Sequence, residues 1–201
     1  MSIRDNYNHT LKASYVGYIT QAIVNNFIPL LFLTFQSSFG ISLEKITLLV
    51  TINFGIQLLV DLLSAKFVYK IGYLTSAVAA HIFAAAGIAG LGVFPDMFPD
   101  SYLGLLFCVC LYAVGGGLIE VLISPIVEAC PTEKKDAAMS LLHSFYCWGS
   151  VLVIAVSTLF FTVFGIENWR AMALLWAVVP AGNAIFFTSV PIAMLTEEGQ
   201  G

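Results

Sequence analysis

Glu120 is the single acidic residue in the apolar run 102–127, and no Lys or Arg sits one helical turn from it. Hydrocarbon surroundings oppose the charged form of a carboxylate, so an acid placed there can take up and release a proton near neutral pH. A purely structural acid is the other reading. Elsewhere the sequence places hydrogen-bonding side chains at helical spacing. Asn53, Gln57, Asp61 and Ser64 are separated by four, four and three residues, which puts them on one face of a helix. Gln21 and Asn25 lie one turn apart with Asn26 beside them, and His143, Tyr146 and Ser150 form a third group. Polar groups inside a membrane are costly and mark substrate and ion pathways. They also tie helices together by hydrogen bonds worth about 0.6–2 kcal/mol, a reading that stays open for Asn25, Asn26, Asn53 and Gln57. On this basis Gln21, Asn25, Asn53, Gln57, His143 and Tyr146 are the candidate solute ligands, and Glu120 is the candidate proton carrier. Asp61, about two turns from the end of its run, is expected in a structural or gating ion pair.

Composition decides which elements carry these residues. Of 201 residues, 59% are hydrophobic and 10% charged, with mean hydropathy +0.92. Soluble domains carry about 25% charged residues; a globule this poor in charge could not cover its own surface. Six apolar runs, at 13–36, 46–68, 72–94, 102–127, 137–166 and 171–196, each reach the length of about 20 residues that a bilayer core requires. The runs are continuous rather than alternating, which excludes a membrane barrel. The expected fold is an all-α polytopic membrane protein of six helices. Residues 1–12 then form a tail, and 197–201 begin a central loop.

Lys and Arg near the helix ends set the orientation. One side receives Arg4, Lys12, Lys66, Lys70, Lys134 and Lys135, the other only Lys45 and Arg170. Six against two places both termini in the cytoplasm of a multi-pass cell-membrane protein, so the sequon at Asn8 faces away from glycosylation. The opening MSIRDNYNHTLKAS is too polar for a secretory leader.

Polar stripes on the first, second, fourth and fifth helices predict that these four surround a water-accessible cavity. The third and sixth, which offer mainly His81 and Asn183, read as lipid-facing struts, with His81 a packing histidine. Gly115-Gly116-Gly117 allows close helix contact or bending. Tyr146, Trp148 and Trp176 could stack on a sugar ring, although aromatic residues fill cores and interfaces everywhere. Four cysteines without a CxxC pair give no metal or redox spacing, and no cofactor is implied. The net charge of −4 offers no basic patch for nucleic acid. His81, His143 and Glu120 are isolated on three helices, whereas an intramembrane enzyme needs its groups at contact spacing.

The run Gly116-Gly117-Leu118-Ile119-Glu120-Val121-Leu122-Ile123-Ser124-Pro125 resembles the fourth-helix stretch of glycines, acid and proline in fucose-permease-like sugar/proton symporters of the major facilitator superfamily. Asn25-Asn26 with Phe35-Gln36 and Phe39 resembles their first helix, and Tyr69-Lys70-Ile71-Gly72 resembles their loop between helices two and three. Two positions depart from that pattern: Tyr69 stands where the superfamily's loop has Asp, and Pro29 where these symporters have a first-helix acid. Glu120 is left as the one matching acid. The resemblance implies the N-terminal six-helix half of a transporter, with Lys70 and Gly72 in a gating or structural loop. It also implies a second six-helix half, either a covalent continuation or a second copy of the chain. The expected function is secondary transport of a small polar solute, with a sugar as the best match, coupled to protons by alternating access. A non-transporting assembly or regulatory component of the membrane is the alternative.

Overall fold

The computed structural model describes residues 6–193, without the side chains of Ala65 and Tyr69. The expected tail at 197–201 lies outside these residues. Helices α1 (Tyr7–Asn26) and α2 (Phe32–Phe39) are joined by a short 3₁₀ turn at Ile28–Leu31. They are followed by α3 (Leu43–Ile71), α4 (Tyr73–Gly90), a one-turn α5 (Phe94–Met97), α6 (Ser101–Ala129), α7 (Lys135–Phe164) and α8 (Trp169–Phe187). Among the described residues, six segments are long and apolar enough to cross a membrane: Tyr7–Phe39, Leu43–Ser64, Tyr73–Gly90, Ser101–Ala129, Lys135–Phe164 and Ile166–Phe187. The protein is an all-α, six-span bundle.

The helix ends follow from local chemistry. Pro29 has no N–H to give and its ring would strike the carbonyl of Asn25, so the first span breaks into α1 and α2 instead of running straight. Asn25 and Asn26 thereby become the last turn of α1. Asn6 caps the start of α1 by accepting from Asn8 N–H at 3.0 Å, and Asp100 caps α6 by accepting from Tyr102 N–H at 2.9 Å. Between α3 and α4 the chain reverses on one residue, Gly72, whose φ of +91° is open to glycine and strained for other residues. Lys70, exposed in the last turn of α3, faces the negative end of the helix dipole. At the other end of the bundle, Arg170 forms an ion pair with Asp96. The hydrogen bonds from the guanidinium hold the Asp96 carboxyl below the usual carboxylate range.

Helix α6 is the hub, and its three adjacent glycines each face a different neighbour. A Cβ on Gly115 would lie 2.5 Å from the Ala80 carbonyl oxygen of α4, and one on Gly116 would lie 2.9 Å from Val24 Cγ1 of α1. One on Gly117 would meet Val60 Cβ at 2.9 Å and Gln57 Cα at 3.0 Å on α3. Close helix contact is therefore what the triplet provides. Helices α4 and α8 pack on one another and are tied to α1 by a buried node. Asn183 Nδ2 donates to the Ala13 carbonyl at 3.0 Å and to His81 Nε2 at 2.8 Å. That leaves His81 Nδ1–H to donate to the Ala77 carbonyl at 2.7 Å, which defines a neutral tautomer with both ring nitrogens satisfied.

The third and sixth spans, α4 and α8, contribute nothing to the polar cavity and expose apolar side chains such as Ile82 and Ile185, as expected of struts. The least buried spans are α3 and α7, which leave Leu62 (70% exposed) and Trp148 (72% exposed) on the surface. Their polar stripes face inward, and the opposite faces are apolar and uncovered within this bundle.

Candidate functional site

The break at Pro29 and the glycine contacts of α6 bring α1, α3, α6 and α7 together around one amide network. Gln57 is its centre. The Gln57 Nε2 donates to Asn25 Oδ1 and to Asn53 Oδ1, each at 2.9 Å, while its Oε1 accepts from Gln21 Nε2 at 3.0 Å. Asn53 Nδ2 also donates to Asn25 Oδ1, at 3.2 Å. From this centre Gln21 Nε2 reaches Glu120 Oε2 on α6 at 3.3 Å, and Asn25 Nδ2 reaches the Tyr146 hydroxyl on α7 at 3.4 Å. Alongside, Asn26 Nδ2 donates to Ser150 Oγ at 3.1 Å. Buried amides placed this way fix one another's orientation, since each donor that turned away would be left unpaired in a low-dielectric interior.

The network ends in a cavity of about 250 Å³ lined by Tyr18, Gln21, Asn25, Glu120, His143 and Tyr146. Gln21 forms its buried wall, and Glu120 and His143 stand at the open mouth. The Tyr18 hydroxyl shares a hydrogen bond of 2.8 Å with Ser124 Oγ. Its ring lies 5.7 Å from that of His143 and 6.4 Å from that of Tyr146, centroid to centroid. No Lys or Arg lines the cavity, so its only charged group is a carboxylate. The buried Oε1 of Gln21 accepts no hydrogen bond. The cavity is thus polar on the side of Gln21, Asn25 and Glu120 and aromatic on the side of Tyr18 and Tyr146.

Of the residues expected to hold solute, Gln21, Asn25, His143 and Tyr146 share this cavity with Glu120. Asn53 and Gln57 do not line it. Both are buried behind the wall, with Gln57 Nε2 donating to Asn25 and to Asn53 and Asn53 Nδ2 donating to Asn25, so they position the lining residues. The ion pair expected for Asp61 is absent among the described residues: its Oδ1 is buried without a partner. The lysines that follow Asp61 on α3, Lys66 and Lys70, are exposed. Gly72 and Lys70 lie at the end of the bundle, remote from the cavity. Trp148 is exposed on α7, and Trp176 is buried with its indole N–H on Ser157 Oγ at 2.9 Å. Neither stacks in the site. Searching for amides and charges passes over Tyr18, yet its spacing of three from Gln21 and seven from Asn25 puts it on their face of α1.

Comparison with known protein families decides the class. The profile of the Major Facilitator Superfamily matches residues 14–197, nearly the whole chain. The chain belongs to this superfamily. No curated protein and no solved structure matches it. Major facilitator proteins are secondary transporters rather than enzymes, so the cavity between α1, α6 and α7 belongs to a protein that moves a solute across a lipid bilayer. The six apolar spans make it multi-pass.

Proposed function

We propose that this chain is one six-helix half of a sugar/proton symporter of the fucose-permease-like kind. The solute is bound in the cavity by Gln21, Asn25, His143 and Tyr146, and Glu120 is the proton-coupling acid. The observation that carries this reading is the hydrogen bond of Gln21 to Glu120 in the cavity wall. Gln21, a proposed solute ligand, is hydrogen-bonded to the carboxylate of the cavity, which supports a reading in which protonation and solute binding act on a shared group. A second six-helix half, continuous with this chain or a second copy of it, would cover the uncovered apolar faces of α3 and α7 and close the mouth at Glu120 and His143. Alternating access is then the rocking of the two halves about the cavity.

The test is uptake of a panel of monosaccharides into liposomes carrying the protein, with a proton gradient imposed across the membrane. Accumulation of a neutral sugar that collapses with the gradient is expected. Uptake indifferent to the gradient would sink the proton-coupled reading.

Orientation follows from the excess of Lys and Arg at the α3–α4 and α6–α7 ends. In the cell membrane the end of the bundle that carries both the first and the last residues then faces the cytoplasm. Membrane-impermeant thiol reagents added outside intact cells should label Asp96→Cys and spare Lys134→Cys. The reverse pattern would invert the topology.

A further inference from the structure

The proposed mechanism leaves a second intramembrane carboxylate, Asp61 of α3, unused. Helices α3 and α6 touch backbone to backbone where Gly117 meets Gln57 and Val60. Successive spans cross the membrane in alternating directions, so the second and fourth run the same way. Each residue past the contact advances both helices by about 1.5 Å toward the same end. Glu120 comes three residues after Gly117, and Asp61 comes one after Val60 and four after Gln57. The two acids therefore lie at the same depth on facing helices, one turn past the contact.

Their surroundings fit a pair rather than two independent charges. Asp61 Oδ1 is buried and unpartnered, and Asp61 forms no ion pair among the described residues. Between α1 and this pair lies Gln21, 4% exposed, whose Nε2 donates to Glu120 while its Oε1 is left without a donor. The other titratable groups facing the site are Tyr18 from α1 and His143 and Tyr146 from α7; α4 and α8 present none to it. No Lys or Arg lines the cavity on which Glu120 stands.

We propose that Asp61 and Glu120 form a carboxyl pair that holds a single proton between them, with Asp61 as the group that receives the proton from Glu120. This rests on the reading of Glu120 as the proton-coupling acid and adds its partner. The transfer is a proton alone. The O–H bond on the Glu120 carboxyl breaks as one forms on the Asp61 carboxylate, and the pair keeps one negative charge throughout. Two carboxylates so placed titrate as a unit. The pair gives the proton a step from the cavity face of α6 onto α3, off the group that Gln21 and the solute share.

The test needs no solute. Infrared spectra of the protein in lipid nanodiscs, recorded across about pH 4 to 9, follow the carbonyl band of protonated buried carboxyls and their loss on ionisation. Neutralising one member should move the midpoint of the other by about tenfold or more in proton concentration. Linkage requires Glu120→Gln and Asp61→Asn to move their partners by equal amounts. That equality separates direct coupling from a structural disturbance, which has no reason to be reciprocal. Asp61→Ser, equally uncharged, gives the same reading independently of the amide, and Asp61→Glu should retain the coupling. A Glu120 band unmoved by Asp61→Asn and Asp61→Ser would overturn the pair and leave the proton-coupling role of Glu120 standing. If Glu120→Gln removes no titrating band, Glu120 carries no exchangeable proton and both ideas fall.

Discussion

Glu120→Gln should lower gradient-driven accumulation of solute by about tenfold or more, within the 5–150-fold that couplings of about 1–3 kcal/mol provide. Exchange of solute for solute across the same membrane should stay within about twofold of the natural protein. The amide is nearly isosteric with the carboxyl, and its Oε1 can still accept from Gln21 Nε2, now 3.3 Å from Glu120 Oε2. The cavity wall formed by Gln21, Asn25 and Tyr146 then keeps its geometry, because Gln57 and Asn53 continue to orient it from behind. What the amide cannot do is gain or lose a proton. Binding and the conformational cycle should survive while the link to the gradient is cut. The measurement is accumulation under an imposed gradient beside counterflow of labelled solute with no gradient. Loss of both in a well-folded protein would make Glu120 a binding or structural residue. Retention of both would move the proton site elsewhere.

Much of this arrangement is legible in the order of residues, and the reasons are physical. A helix in hydrocarbon must satisfy its backbone internally and cover it with apolar side chains, so six spans stand out as uninterrupted runs. The spacing of Asn53, Gln57 and Asp61 likewise forces them onto one face of α3, and the cost of burying amides forces that face inward. Other features depend on what comes to lie opposite. Gln57 and Asn53 are of the same chemical type as Gln21 and Asn25. Only the packing of α3 against α6 at Gly117 puts the first pair behind the wall and the second pair in it. Asp61 looks like an interfacial acid from its distance to the end of its run, yet α3 continues to Ile71 and Asp61 Oδ1 is buried without a partner. The outward faces of α3 and α7 were hidden for a related reason. Hydropathy cannot tell an apolar face that meets lipid from one that meets another protein surface, since both are equally free of charge. Pro29 was visible in the sequence, but its consequence, an α1 that ends at Asn26, depends on the local clash with the Asn25 carbonyl.

Two single-methyl changes should move stability in opposite directions. At Gly115 an added Cβ would lie 2.5 Å from the Ala80 carbonyl oxygen, 2.6 Å from Ala84 N and 3.0 Å from Ala84 Cα. All three are backbone or Cα atoms of α4, so no side chain can rotate away, and the two helices must separate. The same contact is locked from the other side, because a Cβ on Gly87 of α4 would lie 2.5 Å from Tyr112 N and 2.7 Å from the Cys108 carbonyl oxygen of α6. Moving α6 from α4 also disturbs the faces that Gly116 and Gly117 hold against α1 and α3, and with them the amide network. Overpacking of this kind costs about 1–3 kcal/mol, occasionally more, and exceeds the roughly 0.5–1 kcal/mol by which Ala improves a helix interior over Gly. At Gly182 of α8 nothing lies within 4 Å of an added Cβ. There only the helix preference remains, and Gly182→Ala should stabilise by about 0.5–1 kcal/mol. Thermal denaturation of the purified protein in detergent, followed by loss of the folded peak in size-exclusion chromatography, would rank Gly182→Ala above the natural protein and Gly115→Ala well below it. A Gly115→Ala protein as stable as the natural one would mean that α4 and α6 do not pack backbone to backbone.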